Sequence, residues 1–144
     1  MRASVEPLKE GVLKGLSIIY AMVKVIVPCY IAIELMKHFG LIETISRLFR
    51  PIMKFFGLPG EAALGLIAGY VINLYAAIAV LTPLDLSARQ VTIMALILGI
   101  SHSLPIETSV TQKTGVNGFV LLTLRIVVSL LSGALLNILW TLFS

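Results

Sequence analysis

The sequence predicts an all-α membrane protein, a small helical bundle of about four spans with discontinuous (broken) helices and amphipathic interfacial helices. Three observations carry this. Of the 144 residues 58% are hydrophobic and only 12% charged, with a mean hydropathy of +1.03, whereas soluble domains are near half apolar and a quarter charged. A basic amphipathic stretch separates two of the apolar runs. A short signature, L-P-x-E, occurs twice beside strongly apolar sequence.

The length suits a single domain over 1–144, since each span takes about 20 residues. The net charge is +4 with a pI near 9.5, and the basic residues mostly flank apolar segments. Anionic lipid headgroups are therefore the expected partner, and nucleic acid is not. A single cysteine, Cys29, excludes an intrachain disulfide and a multi-cysteine metal site. His38 is distant from His102, so no metal site is expected, and nothing calls for a cofactor. The N-terminal apolar run is too long for a signal-peptide core and lacks a cleavage site, so it reads as a membrane helix.

Residues 4–15 read as a short amphipathic helix with Val5, Leu8, Val12 and Leu13 on one side. The first span runs from about Leu16 to Met36 and contains Lys24, Pro28 and Glu34. In "LIETISRLFRPIMKFF" the residues Glu43, Arg47, Arg50 and Lys54 share one helical face, opposite Leu41, Ile45, Leu48, Ile52 and Phe55. That pattern predicts a helix lying in the interface, with a break at Pro51 as one option. Ala62–Leu81 carries no charge and reads as the second span. After "TPLDLSARQ", where Asp85 or Ser87 can cap, a helix is expected over about Ala88–Ile100, too short to cross alone. The last span covers about Phe119–Leu142 and holds Arg125.

With four crossings, Arg2, Lys9, Lys14 and Arg89 fall on one side and Lys37, Arg47, Arg50, Lys54 and Lys113 on the other. Four against five gives almost no positive-inside bias. Either the chain inserts both ways and forms an antiparallel dimer, or the span count differs from four.

The polar stretch "SHSLPIETSVTQKTG", residues 101–115, stands between two apolar runs. Proline lacks an N–H and cannot continue a helix, but it suits a helix's first turn. Glu107 then falls near the positive end of the helix that Pro105 starts, and Pro59 with Glu61 repeats the arrangement 46 positions earlier. A helix can break at depth only where protein or water covers the break, and paired broken helices point to a transporter's binding site. On this reading Ser101, His102, Ser103, Glu107 and Thr108 line a site. The alternative is an ordinary polar loop at the interface.

Gly65, Gly69, Asn73 and Ala77 recur every four residues, a stripe that suits close helix packing, with Asn73 as the strongly polar member. Lys24 and Arg125 would each cost about 2.5–3.5 kcal/mol at a helix centre, so pairing between helices or between subunits is expected for both. Glu34 and Lys37 suit the membrane edge. No Ser/His/Asp arrangement with a supporting motif and no H-E-x-x-H pattern is present, so an enzyme is not expected.

The stretches "GLPGEAALGLIAGYVINLYAAIAVL" and "SHSLPIETSVTQKTG" resemble the nucleoside-recognition, or Gate, domain, and the likeness extends over about residues 10–142. Proteins of that kind include spore maturation proteins A and B, the gates of the ferrous-iron transporter B family and, more distantly, concentrative nucleoside transporters. The resemblance implies a multi-pass protein of the cell (inner) membrane that binds or moves a small polar solute or ion. By motif match it carries over Gly60, Glu61, Gly69, Asn73, His102 and Glu107. The chain lacks a G-x-x-x-x-G-K-[ST] stretch and the cysteines expected of an iron gate, and is half or less of a nucleoside transporter. A working pathway then requires a homodimer or a paired Gate protein. The rival expectation is a non-transporting scaffold or assembly factor working with such a partner.

Overall fold

The computed structural model describes residues 5–143, and their regular structure is helical throughout. Arg2 and Ser4 lie outside the described residues. Among the described residues three stretches are long and apolar enough to cross a membrane: Glu6–His38, Ala88–Gln112 and Gly118–Phe143.

Helix α1 (Val5–His38) is one continuous helix, so the predicted amphipathic segment runs into the first span without a joint. Its 34 residues make about 51 Å at 1.5 Å per residue. Only the C-terminal part packs: Val25, Cys29, Ile33 and Met36 join an apolar cluster with Ile42, Ala68, Ala76 and Val80. Gly40, in the left-handed region at φ 67°, turns the chain into α2 (Leu41–Met53). Ile42 and Met53 are buried, while Leu41, Leu48, Ile52 and Phe55 stay exposed. An apolar face left uncovered beneath a basic one fits the interfacial placement. Pro51 does not break α2; the helix tightens to a 3-10 turn at Lys54–Phe56, which Gly57 ends.

The largest departure from expectation lies in Ala62–Leu81. That stretch is two short helices, α3 (Ala62–Val71) and α4 (Leu74–Leu81), folded back on each other. Gly65 lies against Leu81, and Gly69 against Ala77 and Leu98. The predicted small-residue stripe therefore closes the hairpin on itself, with Gly65 and Gly69 on one arm and Ala77 on the other. At the tip Asn73 is extended, and its Oδ1 accepts the Ala76 N–H at 2.9 Å as an N-cap. The N–H groups of Ile72 and Asn73 both donate to the Ala68 carbonyl. Both feet of the hairpin are held at the α1–α2 end. Ser46 Oγ donates to Glu61 at 2.5 Å, and Lys37 Nζ donates to the Pro83 carbonyl. A continuous helix and a hairpin share the same apolar composition, which is why charge counting cannot separate them.

Ser87 starts α5 (Ala88–Ile100) with a reciprocal capping box to Gln90. Three residues follow before α6 (Leu104–Gln112), with Pro105 in its first turn as predicted. Helix α7 (Gly118–Phe143) returns along α5: Gly133 receives Ile97, and the Arg89 guanidinium donates to Asn137 Oδ1 (2.5 Å) and Thr141 Oγ1 (2.8 Å). The central core joins Met53, Leu58, Ala62, Ala77, Ile93 and Ile97. It lies between the hairpin, α5 and α7.

Candidate functional site

The two interruptions of the chain meet. Ser103 takes the left-handed conformation (φ 47°), and its N–H donates to the Gly69 carbonyl at 2.8 Å. Thus the residues between α5 and α6 sit against the inner arm of the hairpin, one turn from Asn73 at its tip. A non-glycine residue in that conformation is uncommon. Here the Ser103 backbone is fixed from both sides, since its carbonyl accepts the N–H groups of Ile106 and Glu107.

Around this junction the polar side chains form a tight set. Glu107 is ion-paired with Arg125 of α7, and its other oxygen lies 3.3 Å from His102 Nε2. His102 Nδ1 is 3.0 Å from the Leu98 carbonyl. A carbonyl can only accept, so Nδ1 carries a hydrogen. The Arg125 guanidinium also reaches the carbonyls of Ile100 (3.3 Å) and His102 (3.5 Å), which satisfies acceptors that the end of α5 leaves free. Among the described residues two hydroxyl oxygens are buried with no partner: Ser101 Oγ, in a fully buried residue, and Thr108 Oγ1. Buried polar groups are normally bonded, so both retain bonding capacity for something further. An open groove of about 360 Å³ has Ile106, Glu107, Val110, Leu121 and Arg125 on its walls. A second crevice of about 470 Å³ between α4 and α5 is lined largely by apolar side chains and meets this set only at Leu98.

Of the residues expected at a site, Gly69, Asn73, Ser101, His102, Ser103, Glu107 and Thr108 belong to this junction or its borders. Gly60 and Glu61 are placed elsewhere: Gly60 abuts the Ser46 backbone and Glu61 bonds to Ser46 Oγ. The L-P-x-E signature marks a helix start at both occurrences, as the turn before α3 and as the first turn of α6, but only the second stands at the junction. At 58–61 it forms the turn leading into α3, with the Ala62 N–H donating to Pro59 and the Ala63 N–H to Gly60. Two participants were not among the expected site residues. Arg125 is a cation inside an apolar span and needs a partner, and that is the signal the sequence offers. The Tyr70 hydroxyl, 3.0 Å from buried Ser129 Oγ, joins the hairpin to α7 and left no sequence signal.

The Gate family model, described as nucleoside recognition, matches residues 19–117. The chain is 38% identical over 130 residues to the uncharacterized membrane protein YvoD of Bacillus subtilis (strain 168), which covers 90% of this chain and 42% of that protein. It therefore spans less than half the length of that relative. No solved structure matches. With a family model over most of its length, and with the hairpin, His102 and Glu107 inside the matched region, this chain belongs to the Gate family of nucleoside-recognition membrane proteins.

Proposed function

We propose that this chain is a multi-pass protein of the cell membrane that forms half of a pathway for a small polar solute, nucleoside-like or ionic, bound where the hairpin tip meets the interrupted helix. The bond from Ser103 to Gly69 carries this reading, because it joins two interruptions beside buried hydroxyls that lack partners. α1, α5 with α6, and α7 are the crossings. The hairpin enters and leaves on the side of Lys37. The ten residues of α3 reach about 15 Å, the middle of a hydrocarbon core about 30 Å thick. α5 and α6 are then one discontinuous membrane helix, its break covered by the hairpin and by Arg125. Ser101, Thr108, Glu107, His102 and Asn73 are the solute's ligands. Gly69 and the Ser103 backbone bring the two breaks together. Gly60 and Glu61 act at a distance, by seating the hairpin's feet on α2.

Treating Ala62–Leu81 as re-entrant moves Arg89 to the side of Lys37 and Lys113 to the opposite side. The balance stays at four against five, so insertion in both senses remains open to this chain. The pathway is completed by a second chain, either another copy, antiparallel if it inserts both ways, or a paired Gate protein. In the relative, more than half of the polypeptide lies outside the matched stretch, room for a second half.

The protein is reconstituted in liposomes, and uptake of labelled uridine, labelled adenosine and Na⁺ is measured as three separate probes. Glu107→Gln and Asn73→Ala are each expected to reduce flux at least about tenfold, equivalent to about 1.4 kcal/mol. Asn73→Ala also removes a cap worth about 1 kcal/mol, so folding is checked by the thermal midpoint. Unchanged flux in both variants removes this site. Absence of flux for every probe, with and without a partner Gate protein, favours the scaffold role instead.

A further inference from the structure

We propose that the outer face of α1 around Lys24 docks a transmembrane helix of a different chain, one that carries an aspartate or glutamate near the middle of the bilayer. Between Lys14 and Glu34 the helix is uncharged except at Lys24, which stands ten residues from each. At about 1.5 Å per residue this is about 15 Å in either direction, half of a hydrocarbon core about 30 Å thick. A lysine stem lets the ammonium reach water from near a helix end, not from the centre.

Lys24 does not turn inward. Val25, Cys29, Ile33 and Met36 make the packed side of α1. Tyr20, Val23, Lys24, Val27 and Ile31 form the other side and are exposed. The ammonium lies 4.7 Å from the centre of the Tyr20 ring, a cation–π contact that leaves its charge in place. Among the described residues no carboxylate pairs with it. The part of α1 before Val25 joins neither apolar cluster, so among the described residues nothing covers this face.

Charge balance selects the occupant. Of the charges at membrane depth, Glu107 is matched by Arg125, which leaves Lys24 as one cation without an anion. A second copy brings the same excess, so two copies cannot neutralise each other. A helix of another chain with a carboxylate at mid-span can, and charges within membranes pair in this way. The inference rests on α1 crossing the bilayer and is independent of whether a solute moves.

The full chain, in the membranes of its own cells, is treated with dicyclohexylcarbodiimide, an apolar reagent that activates carboxyls buried in lipid. The activated acid is an O-acylisourea; the Lys24 amine attacks its carbonyl, an amide forms, and dicyclohexylurea leaves. Mass spectrometry then identifies both joined residues. The expected product links Lys24 to an Asp or Glu inside an apolar helix of a different polypeptide. Lys24→Arg is expected to lose the adduct while keeping the complex on a native gel, and Lys24→Glu to lose the complex. Should Lys24→Glu fail to insert, the adduct and the Lys24→Arg variant decide. A link from Lys24 to Glu107 of a second copy overturns the proposal. So does the absence of any Lys24 adduct in the unaltered chain. No flux is read, so its failure and that of the transport reading are told apart.

Discussion

Replacing Arg125 with methionine is expected to destabilise the protein by about 3 kcal/mol, more than any other single change at the junction. One guanidinium serves three elements there. It pairs with Glu107 at the start of α6 and reaches the Ile100 and His102 carbonyls at the end of α5, while its own backbone belongs to α7. Removing one member of a buried pair costs about 3–5 kcal/mol, because the other charge is left uncompensated. The lower end applies here, since the Arg125 and Glu107 side chains are 18% and 37% exposed. His102 faces the carboxylate with Nε2 alone, its Nδ1 being committed to the Leu98 carbonyl, so it does not take over the bonds that the guanidinium makes to the α5 end. The paired substitution Glu107→Met with Arg125→Met is expected to recover most of the loss, as apolar replacements of buried pairs often do. Thermal unfolding in detergent, followed by fluorescence of the single Trp140, gives all four corners of the cycle. A coupling energy near zero would mean that the pair does not hold the break together.

The helical membrane class was legible from composition, and α2 as an amphipathic helix from the alternation of Arg47, Arg50 and Lys54 with Leu48, Ile52 and Phe55. Pro105 and Glu107 marked the start of α6 because proline's missing N–H and a carboxylate both favour a helix's first turn. Ala62–Leu81 was less legible. Twenty uncharged residues satisfy the length of a span, and the hairpin differs from a span by one backbone reversal at Ile72 and Asn73. The signs were weak but physical: Asn is a preferred N-cap, and Gly65, Gly69 and Ala77 are small enough for two arms to touch. Long-range pairings were not legible. Ser46 lies in the amphipathic helix and Glu61 in the Pro–Gly turn, and local periodicity does not link them. Arg125 could be seen to need an anion, but its choice of Glu107 depends on how α6 and α7 meet.

Gly60→Ala is expected to destabilise by about 3 kcal/mol. The added methyl would fall on the backbone of Ser46, overlapping its carbonyl. Overpacking costs about 1–3 kcal/mol where side chains can adjust, and here the obstacle is main chain within α2. To make room, α2 and the foot of the hairpin must separate, which also stretches the bond between Ser46 Oγ and Glu61. Gly65→Ala should cost less, because its methyl meets the end of the Leu81 side chain, which can rotate away. Gly99→Ala should act in the opposite direction. That position is helical with nothing within 4 Å of the new methyl, and alanine is favoured over glycine in a helix by about 1 kcal/mol. Thermal midpoints of the three variants in one detergent, with no solute present, test the order. If Gly60→Ala unfolds at the wild-type midpoint, α2 does not clamp the hairpin. If it falls as expected, the glycine that resemblance assigns to solute binding has a packing role that must be separated from any effect on flux.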